Sequence, residues 1–316
     1  MSDATSTSHE GIVLVAKSAG QTSFQTLGPL KRGLGTRKLG HTGTLDKFAS
    51  GLLVVLVGGL TRLGPWFTAL DKTYEATIRF GEETDSLDPE GEVIARADPP
   101  SAESLALALP SFRGELMQAP PAFSAVHIDG ERASDRARRG EVLDMRARPV
   151  SISELDLINY DGRDARLRVR CSSGTYIRSL ARDLALSMGS RARLETLTRL
   201  RVGPFSLADA RPCEDFADGQ GLIGLDSSRA DSLGFETRIL STRALPVFSH
   251  GGLIKKDDLI PHFPGEDGSA DLGGRPLAIF AEDGDFLGVM EDSQGLLKYR
   301  FVLVRETGGR AASSLA

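Results

Sequence analysis

The stretch GHTGTLDKFASGLL, residues 40–53, sets a carboxylate in a glycine-spaced turn that leads into an apolar segment. Asp46 is the sole Asp or Glu within residues 11–70, whereas the same residues carry seven Lys or Arg. Residues 52–57 (LLVVLV) predict a buried strand, and a tight loop before such a strand holds a side chain rigidly at the edge of a sheet. Asp46 is either a structural turn residue, which the pattern alone favours, or a chemical group.

The segments around this stretch predict strands and helices that do not alternate strictly. Residues 11–16 (GIVLVA) predict a second buried strand, and residues 73–80 alternate between apolar and polar, as in a half-buried strand. Thr22-Ser23 predicts the N-cap of a helix with an apolar side, formed by Phe24, Leu27, Leu30 and Leu34. Further segments predict strands: residues 123–128, 151–158, 165–171, 277–280, 286–290 and 299–304.

Three other local patterns complete the expected fold. Asp129-Gly130 predicts a type I′ hairpin turn, followed by a charged surface helix or mobile loop over residues 131–141. Thr175 or Ser173 predicts the cap of a helix whose apolar positions run from residue 177 to residue 188. The mixture of elements favours an α+β fold over a doubly wound sheet.

Length and composition predict two domains. A chain of 316 residues with 40% apolar content can bury one large core or two smaller ones. Residues 213–240 are acidic and contain Gly and Ser, which predicts a linker. The short apolar segments beyond it, separated by Gly-Asp turns, predict a small β-rich module.

Several classes of protein and site are excluded by composition. The chain has no apolar run long enough to span a bilayer and no signal peptide at its N-terminus, so we expect it to stay in the cytoplasm. Its two cysteines form no C-x-x-C pair and its five histidines are dispersed, so we expect no metal. The glycines of residues 40–46 match neither a P-loop nor a dinucleotide fingerprint.

The net charge of −5 is unevenly distributed. Residues 213–316 carry 17 acidic and 10 basic side chains, whereas residues 165–201 contain nine Arg and just two acidic residues. Charge runs are usually solvated faces, but clusters of this kind also form the electrostatic footprint of a polyanion. The distribution moderately favours a phosphate-bearing partner.

The residues themselves suggest a carboxylate-based site. Nucleophilic catalysis by Asp46 needs its charge kept, positioned and partly desolvated, and a guanidinium such as that of Arg178 provides all three. Tyr74 and Tyr176 are two of four tyrosines in the chain. Most tyrosines are structural, but a flat ring can also hold a base that has been taken out of its stack.

These residues fall within motifs that resemble a known family. The motifs occur in order over roughly residues 11–210: KSAGQTS (17–23), GHTGTLDKFASGLL (40–53), DKTYEATIRFG (71–81), TDSLDPEG (84–91), PPAFSAVHIDGERA (120–133), CSSGTYIRSLARDLA (171–185) and LTRLRVGPF (197–205). Together they resemble the TruB family of bacterial tRNA pseudouridine synthases. GHTGTLD with GTYIRSLARDL is close to diagnostic.

The resemblance implies isomerisation of the uridine at position 55 in the T-loop of tRNA to pseudouridine. The base is flipped out, its N-glycosidic bond is cleaved, and a C-glycosidic bond is formed without metal or cofactor. Asp46 matches the catalytic aspartate. The resemblance also implies catalytic roles for Tyr74, which stacks on the base, and for Arg178, which contacts the carboxylate. Substrate-binding roles are implied for His41, Tyr176, Leu197, Lys17 and Asp88.

The family's fold implies a particular domain organisation. We expect a catalytic domain over residues 11–238 with a mixed, largely antiparallel central sheet and an insertion at about 120–150 that closes on RNA. A small PUA-like β domain is expected over residues 239–306. Residues 1–10 and 307–316 are expected to be disordered. The implied partner is the T-stem-loop of tRNA, and we expect a monomer that binds neither membrane nor metal.

The chain departs from the family pattern at two places. Lys47 follows Asp46 where the family usually has proline, and AKSAG (16–20) stands in place of D-K-P-x-G. We expect the loss of proline to loosen the catalytic turn and the added cation to favour ionisation of Asp46, with activity retained.

Two alternatives to a stand-alone tRNA enzyme remain at this point. One is a tRNA-binding folding chaperone in which catalysis is secondary. The other is a guide-RNA-dependent relative acting on rRNA, although the chain lacks the extensions associated with such proteins.

Overall fold

The computed structural model describes residues 10–216, 220–261, 275–293 and 296–303. The α-helices are α1 Ser23–Gly33, α2 Gly64–Ala69, α3 Ala102–Ala108, α4 Ala133–Arg138, α5 Ile177–Ser187, α6 Ser227–Ser232 and α7 Leu245–Ser249. The strands are β1 Gly11–Lys17, β2 Leu39–His41, β3 Ser50–Val57, β4 Lys72–Phe80, β5 Glu82–Thr84, β6 Val93–Arg96, β7 Gly114–Gln118, β8 His127–Ile128, β9 Glu131–Arg132, β10 Arg148–Tyr160, β11 Asp164–Cys171, β12 Ala192–Val202, β13 Phe205–Ser206, β14 Glu236–Leu240, β15 Leu259–Pro261, β16 Leu277–Phe280, β17 Phe286–Ser293 and β18 Leu296–Val302. Of the residues predicted to be disordered, 1–9 and 307–316 lie outside the described residues, whereas Glu10 is described and its side chain accepts the Gly59 amide at 3.1 Å.

A nine-stranded sheet forms the centre of the described structure, in the order β1-β3-β12-β4-β11-β10-β7 with β2 and β13 attached to β3 and β12. Every neighbouring pair is antiparallel except β3 and β12, which run parallel. At that parallel contact a Cβ on Gly51 would lie 2.4 Å from the backbone oxygen of Arg199, so a residue without a side chain is needed there. The predicted α+β class with a mixed, largely antiparallel sheet is confirmed.

The two faces of the central sheet differ in chemistry. In β4 the residues at even positions are buried and those at odd positions are partly exposed, which confirms the predicted alternation. The buried face packs against α5 in one apolar cluster, together with the loop residues Leu45 and Ala49. The open face carries Arg166, Arg168 and Arg170 of β11 beside acidic neighbours.

Helix α1 begins where the sequence predicts. The Thr22 hydroxyl accepts the Gln25 amide at 3.2 Å, and the Gln25 side chain accepts the Thr22 amide at 2.8 Å, which forms a capping box. The predicted apolar side is partly wrong because Phe24 is 73% exposed, with the Lys31 ammonium 4.9 Å from the centre of its ring. Leu27 and Leu30 are buried as expected.

The segment predicted as a linker is instead folded against the first strand. Ile223 exchanges two backbone hydrogen bonds of 2.8 Å with Ile12. Arg211, just before this segment, bonds to Ala16 and Leu14 further along the same edge of the strand. Helix α6 and strand β14 also fall within this segment. Acidic, glycine-containing composition did not reveal these contacts because backbone pairing is independent of side-chain polarity.

A second sheet follows, in the order β15-β14-β16-β17-β18. Strands β14 and β16 are parallel, and the other neighbours are antiparallel. One apolar cluster joins the two sheets, with Leu14 and Leu56 from the first and Phe280 and Phe301 from the second. The strands predicted at 277–280 and 286–290 are confirmed, whereas position 304 lies outside the described residues. The domain boundaries and the PUA-like character of this sheet stay predictions.

The insertion contains a short hairpin and a surface helix. Strands β8 and β9 pair across Asp129 and Gly130, whose φ angles are 53° and 87°, as the predicted type I′ turn requires. The first arm, β8, is shorter than the strand predicted over residues 123–128. Helix α4 lies on the surface, in the charged stretch that follows the hairpin. In the described part of the chain, no helix has the length and apolar character needed to cross a membrane.

Candidate active site

The loop between β2 and β3 holds Asp46 in a fixed position. Ser23, the first residue of α1, accepts the Leu45 amide at 2.9 Å and donates its hydroxyl to the Leu45 carbonyl at 3.1 Å. The Asp46 carbonyl accepts the Ala49 amide at 3.1 Å, and the Lys47 carbonyl accepts the Gly20 amide at 2.8 Å. The loop is thus fixed on both sides of Asp46, so the predicted loosening by loss of the family proline is not seen in its hydrogen bonding.

Arg178, in the first turn of α5, is the counter-ion of Asp46. Its Nη2 donates to Asp46 Oδ1 at 3.1 Å, and its Nε lies 2.9 Å from Oδ2 as an ion pair without hydrogen-bond alignment. Further donors reach the carbonyls of Ser86 at 2.8 Å and Phe123 at 2.9 Å. The guanidinium is 4% exposed, whereas the Asp46 side chain keeps 37% of its surface open. The pair therefore combines a buried cation with an anion that is partly open to solvent.

Asp88 is the second carboxylate beside this guanidinium, with Oδ2 3.5 Å from Arg178 Nη1. Its other oxygen accepts the Ser86 hydroxyl at 2.6 Å and the Glu90 amide at 3.0 Å. Leu87 between them has a φ of 62°, which is strained for leucine. This turn lets the Ser86 carbonyl and the Asp88 carboxylate both face Arg178.

The ionisation of Asp46 reflects these neighbours. Loss of hydration raises the pKa of Asp46, the Arg178 guanidinium opposes that rise, and the Asp88 charge adds to it. The Lys47 ammonium lies 3.0 Å from Glu90 and not against Asp46. The expectation that Lys47 favours ionisation of Asp46 stays a prediction, since Arg178 and Lys17 are the cations that lower the pKa of Asp46.

Tyr74 lies in the buried face of β4, in the same apolar cluster as Leu45 and Leu197. Burial raises the pKa of its hydroxyl, and the neighbouring Arg199 guanidinium opposes the rise. The phenol therefore stays protonated at neutral pH. This state fits a ring that stacks on a nucleobase better than a group that accepts a proton. Leu197 is buried and Tyr176 is half-buried.

Arg199 is a buried guanidinium that sequence reasoning did not single out. It donates to the carbonyls of Leu52 at 2.8 Å and Gly43 at 3.0 Å, and so ties β12 to the loop that carries Asp46. A signal was present, since Leu197 and Arg199 are two residues apart on one strand and therefore point to the same buried face. The local sequence does not indicate which loop the Arg199 guanidinium would bind.

The start of α5 differs from the expected cap. The residue before the helix is Tyr176, and no side chain of Thr175 or Ser173 caps it. The Tyr176 amide donates instead to the Gln118 side chain at 2.8 Å, so it is not free to bind an anion. Gln118 comes from β7, a contact that local sequence cannot indicate.

Lys17 and His41 are two further titratable groups whose pKa is lowered by burial. The Lys17 ammonium donates to the carbonyls of Ala49 at 2.5 Å and Ser18 at 3.0 Å, and burial lowers its pKa to about 8. Burial also lowers the pKa of His41, whose Nδ1 has no hydrogen-bond partner among the described residues. His41 and Leu197 make no direct contact with Asp46 among the described contacts, whereas Arg178 joins Asp46 to Asp88.

The arginine side chains of β11 lie on the opposite face of the central sheet from this site. Val169 is buried opposite Tyr74, so its neighbours Arg168 and Arg170 point to the open face. Arg168 lies 3.7 Å from Glu75, and Arg170 lies 3.4 Å from Glu154. These strand arginines therefore lie on an open face, where they pair with carboxylates, and they do not line the site around Asp46. Among the described residues, no group of three or more His, Cys, Asp or Glu is placed to hold a metal ion.

Comparisons with known proteins agree with the fold and the motifs. Residues 31–177 match the N-terminal domain of the TruB family pseudouridylate synthases. The tRNA pseudouridine synthase B of Borreliella burgdorferi (strain ZS7) is 39% identical over 297 residues, which cover 93% of this chain and 99% of that relative. The enzyme of the same name from Corynebacterium efficiens is 45% identical over 231 residues, covering 71% of this chain and 78% of the relative.

Among solved structures, the archaeal box H/ACA sRNP Nop10-Cbf5 complex matches with a TM-score of 0.67 at 19% identity, over 93% of this chain and 86% of that chain. At this identity the match shows the shared fold alone. The predicted resemblance is confirmed by the sequence relatives. Because one of them is covered almost end to end at 39% identity, the chain belongs to the TruB family of pseudouridylate synthases.

Proposed function

We propose that this chain isomerises a uridine in the T-loop of tRNA, at position 55, to pseudouridine. The observation that carries the proposal is the Asp46 carboxylate, which is fixed by its loop, partly exposed, and paired with a buried guanidinium from a distant part of the chain. Its family membership and the tRNA named for its relatives support the substrate. The expected cytoplasmic location and monomeric state stay predictions.

The reaction conserves all atoms of the uridine. The bond from N1 to C1′ of the ribose breaks, a bond from C5 to C1′ forms, C5 gives up its proton, and N1 gains one. The ionised Asp46 assists departure of the base, either as a nucleophile or by stabilising positive charge on the sugar. Both routes need the carboxylate charge, and Arg178 opposes the protonation that burial favours.

The remaining residues supply binding and position. Tyr74 provides a flat ring close to Asp46, and Tyr176 borders the same charges at the start of α5. Flipping a base out of its stack costs a few kcal/mol, so stacking on such a ring and contacts with the RNA backbone have to compensate. Asp88 and Lys17 hold Arg178 and the Asp46 loop in place.

The test compares Asp46→Asn with the wild-type protein on an unmodified T-stem-loop RNA, with no other protein or RNA present. Asn keeps the size of the side chain but cannot carry its charge, so we expect no detectable pseudouridine and RNA binding close to that of wild type. Asp231→Asn, at an exposed position of α6, is the matched control and should leave product formation unchanged. Unchanged product from Asp46→Asn would overturn the catalytic role and favour a binding or chaperone function.

A further inference from the structure

The cations that surround Asp46 are almost all committed to protein groups. The Arg178 guanidinium serves two carboxylates and two carbonyls. The Lys17 ammonium and the Arg199 guanidinium each donate to two backbone carbonyls and are 2% exposed. None of these three cations is placed to meet the backbone of an RNA strand without first breaking buried hydrogen bonds.

Lys47 differs from them in exposure and in attachment. It directly follows Asp46, its carbonyl is fixed by the Gly20 amide at 2.8 Å, and its side chain is 53% exposed. The ammonium faces a single carboxylate, that of Glu90, at 3.0 Å, and this carboxylate is itself 46% exposed. An exposed pair of this kind contributes about 0–1 kcal/mol, so it is easily exchanged for another anion.

The position of Lys47 suggests which anion replaces Glu90. A uridine extruded toward Asp46 still carries a phosphate on each side of its ribose. The ammonium starts from a fixed backbone point one residue from the carboxylate that meets the nucleotide. A flexible lysine side chain at such a point acts as a point charge for phosphate.

We propose that Lys47 binds a phosphate that flanks the extruded uridine, and that Glu90 holds the Lys47 ammonium beside the site until RNA binds. The proposal rests on the proposed function, since it takes the flipped nucleotide to lie against Asp46. It assigns a substrate-binding role to a residue that stands where the family usually has proline. The competing explanation is a structural clip in which the Lys47–Glu90 pair joins two loops of the site.

The two explanations predict opposite effects of Glu90→Gln on RNA affinity. If Lys47 binds phosphate, Glu90 competes with the RNA, so Glu90→Gln strengthens binding and Lys47→Gln weakens it. If the pair is a clip, both substitutions loosen the same loops and both weaken binding. The control is Lys256→Gln, in the short turn before β15, where a lysine of 48% exposure lies 2.7 Å from Asp292. It measures the effect of net charge alone.

The experiment measures the affinity of the full chain for a T-stem-loop RNA as a function of salt concentration. We expect Lys47→Gln to weaken binding about fivefold and to reduce the slope of log affinity against log salt by about 0.7 to 0.9, the contribution of one phosphate contact. Glu90→Gln should tighten binding about twofold, and Lys256→Gln should leave the slope unchanged. The proposal would be overturned if Lys47→Gln has the same salt slope as wild type, or if Lys47→Gln and Glu90→Gln change the RNA affinity in the same direction.

A second measurement replaces the protein change with an RNA change. The same RNA is made with one neutral methylphosphonate on either side of the target uridine. At one of these positions wild type should lose affinity about fivefold, while Lys47→Gln should lose none. Equal losses for both proteins at both positions would contradict the assignment. Product formation by wild type is measured in parallel, so that failure of the proposed function is seen separately from failure of the Lys47 contact.

Discussion

Replacing Arg178 with methionine tests how the site is held together. Methionine keeps the length of the apolar stem but removes every donor of the guanidinium. The Asp46 and Asp88 carboxylates lose their common cation, and the Ser86 and Phe123 carbonyls lose a donor. Removing one partner of a buried ion pair costs about 3–5 kcal/mol. Because Asp46 is 37% exposed and regains water, we expect the lower end, about 3 kcal/mol at pH 7.

The cost should depend on pH in a defined direction. Without Arg178, the pKa of Asp46, already raised by burial, rises further. An acid whose folded pKa lies above its unfolded value destabilises the fold when the pH is above the unfolded value, and the effect is relieved as the pH falls. The difference in unfolding free energy between wild type and Arg178→Met should therefore be smaller at pH 5 than at pH 8.

Urea unfolding followed by the fluorescence of Trp66, the single tryptophan of the chain, measures these differences. Arg182→Met is the matched control, because this arginine lies one turn further along α5 and donates to one carbonyl, that of Ala119, at 3.0 Å, and to the partly exposed carboxylate of Asp183 at 2.8 Å. Adding Asp46→Asn to Arg178→Met removes the unpaired charge and should restore about 1 kcal/mol. The reasoning is refuted if Arg178→Met costs no more than the control, or if Asp46→Asn restores nothing.

Two further substitutions separate charge from shape at the site. Asp88→Asn should lower the pKa of Asp46, because the Asp88 charge raises it. The acidic limb of the pH profile of kcat/KM should then shift toward lower pH. A limb that does not move between pH 5 and 8 would count against this coupling. Tyr74→Phe should keep RNA affinity within about twofold and Tyr74→Leu should lose about tenfold, since stacking on a ring contributes about 1–3 kcal/mol per base. Equal losses for the two Tyr74 variants in a binding titration would show that the hydroxyl is the contact.

Local sequence predicted the strands of the central sheet well because burial follows their period of two. The apolar and polar positions of residues 73–80 are an example, and the structure places them as expected. Apolar identity alone was a weaker guide, since Phe24 is exposed beneath Lys31. The predicted cap by Thr175 or Ser173 failed because a side chain from another strand, Gln118, takes the first amide.

Contacts between distant segments could not be read from local patterns. Asp46 and Arg178 are 132 residues apart; the residues alone made Arg178 one candidate partner, and the family motifs were needed to single it out. The bonds from Arg199 to the carbonyls of Leu52 and Gly43 were missed for the same reason. The charge counts favoured a phosphate-bearing partner but could not indicate where it binds, because the arginines of β11 contribute to the composition and lie on the open face of the sheet.

The strand order gives the site a fixed place in the chain's synthesis. Strand β12 lies between β3 and β4, although it follows both by more than a hundred residues in the sequence. Until it leaves the ribosome, the half of the sheet that holds the Asp46 loop and the half against which α5 packs have no strand to join them, and the Asp46 loop lacks Arg199. A nascent chain that ends just before residue 192 would thus carry both Asp46 and Arg178 without the strand that brings the two halves together, so the complete site is assembled in one late step.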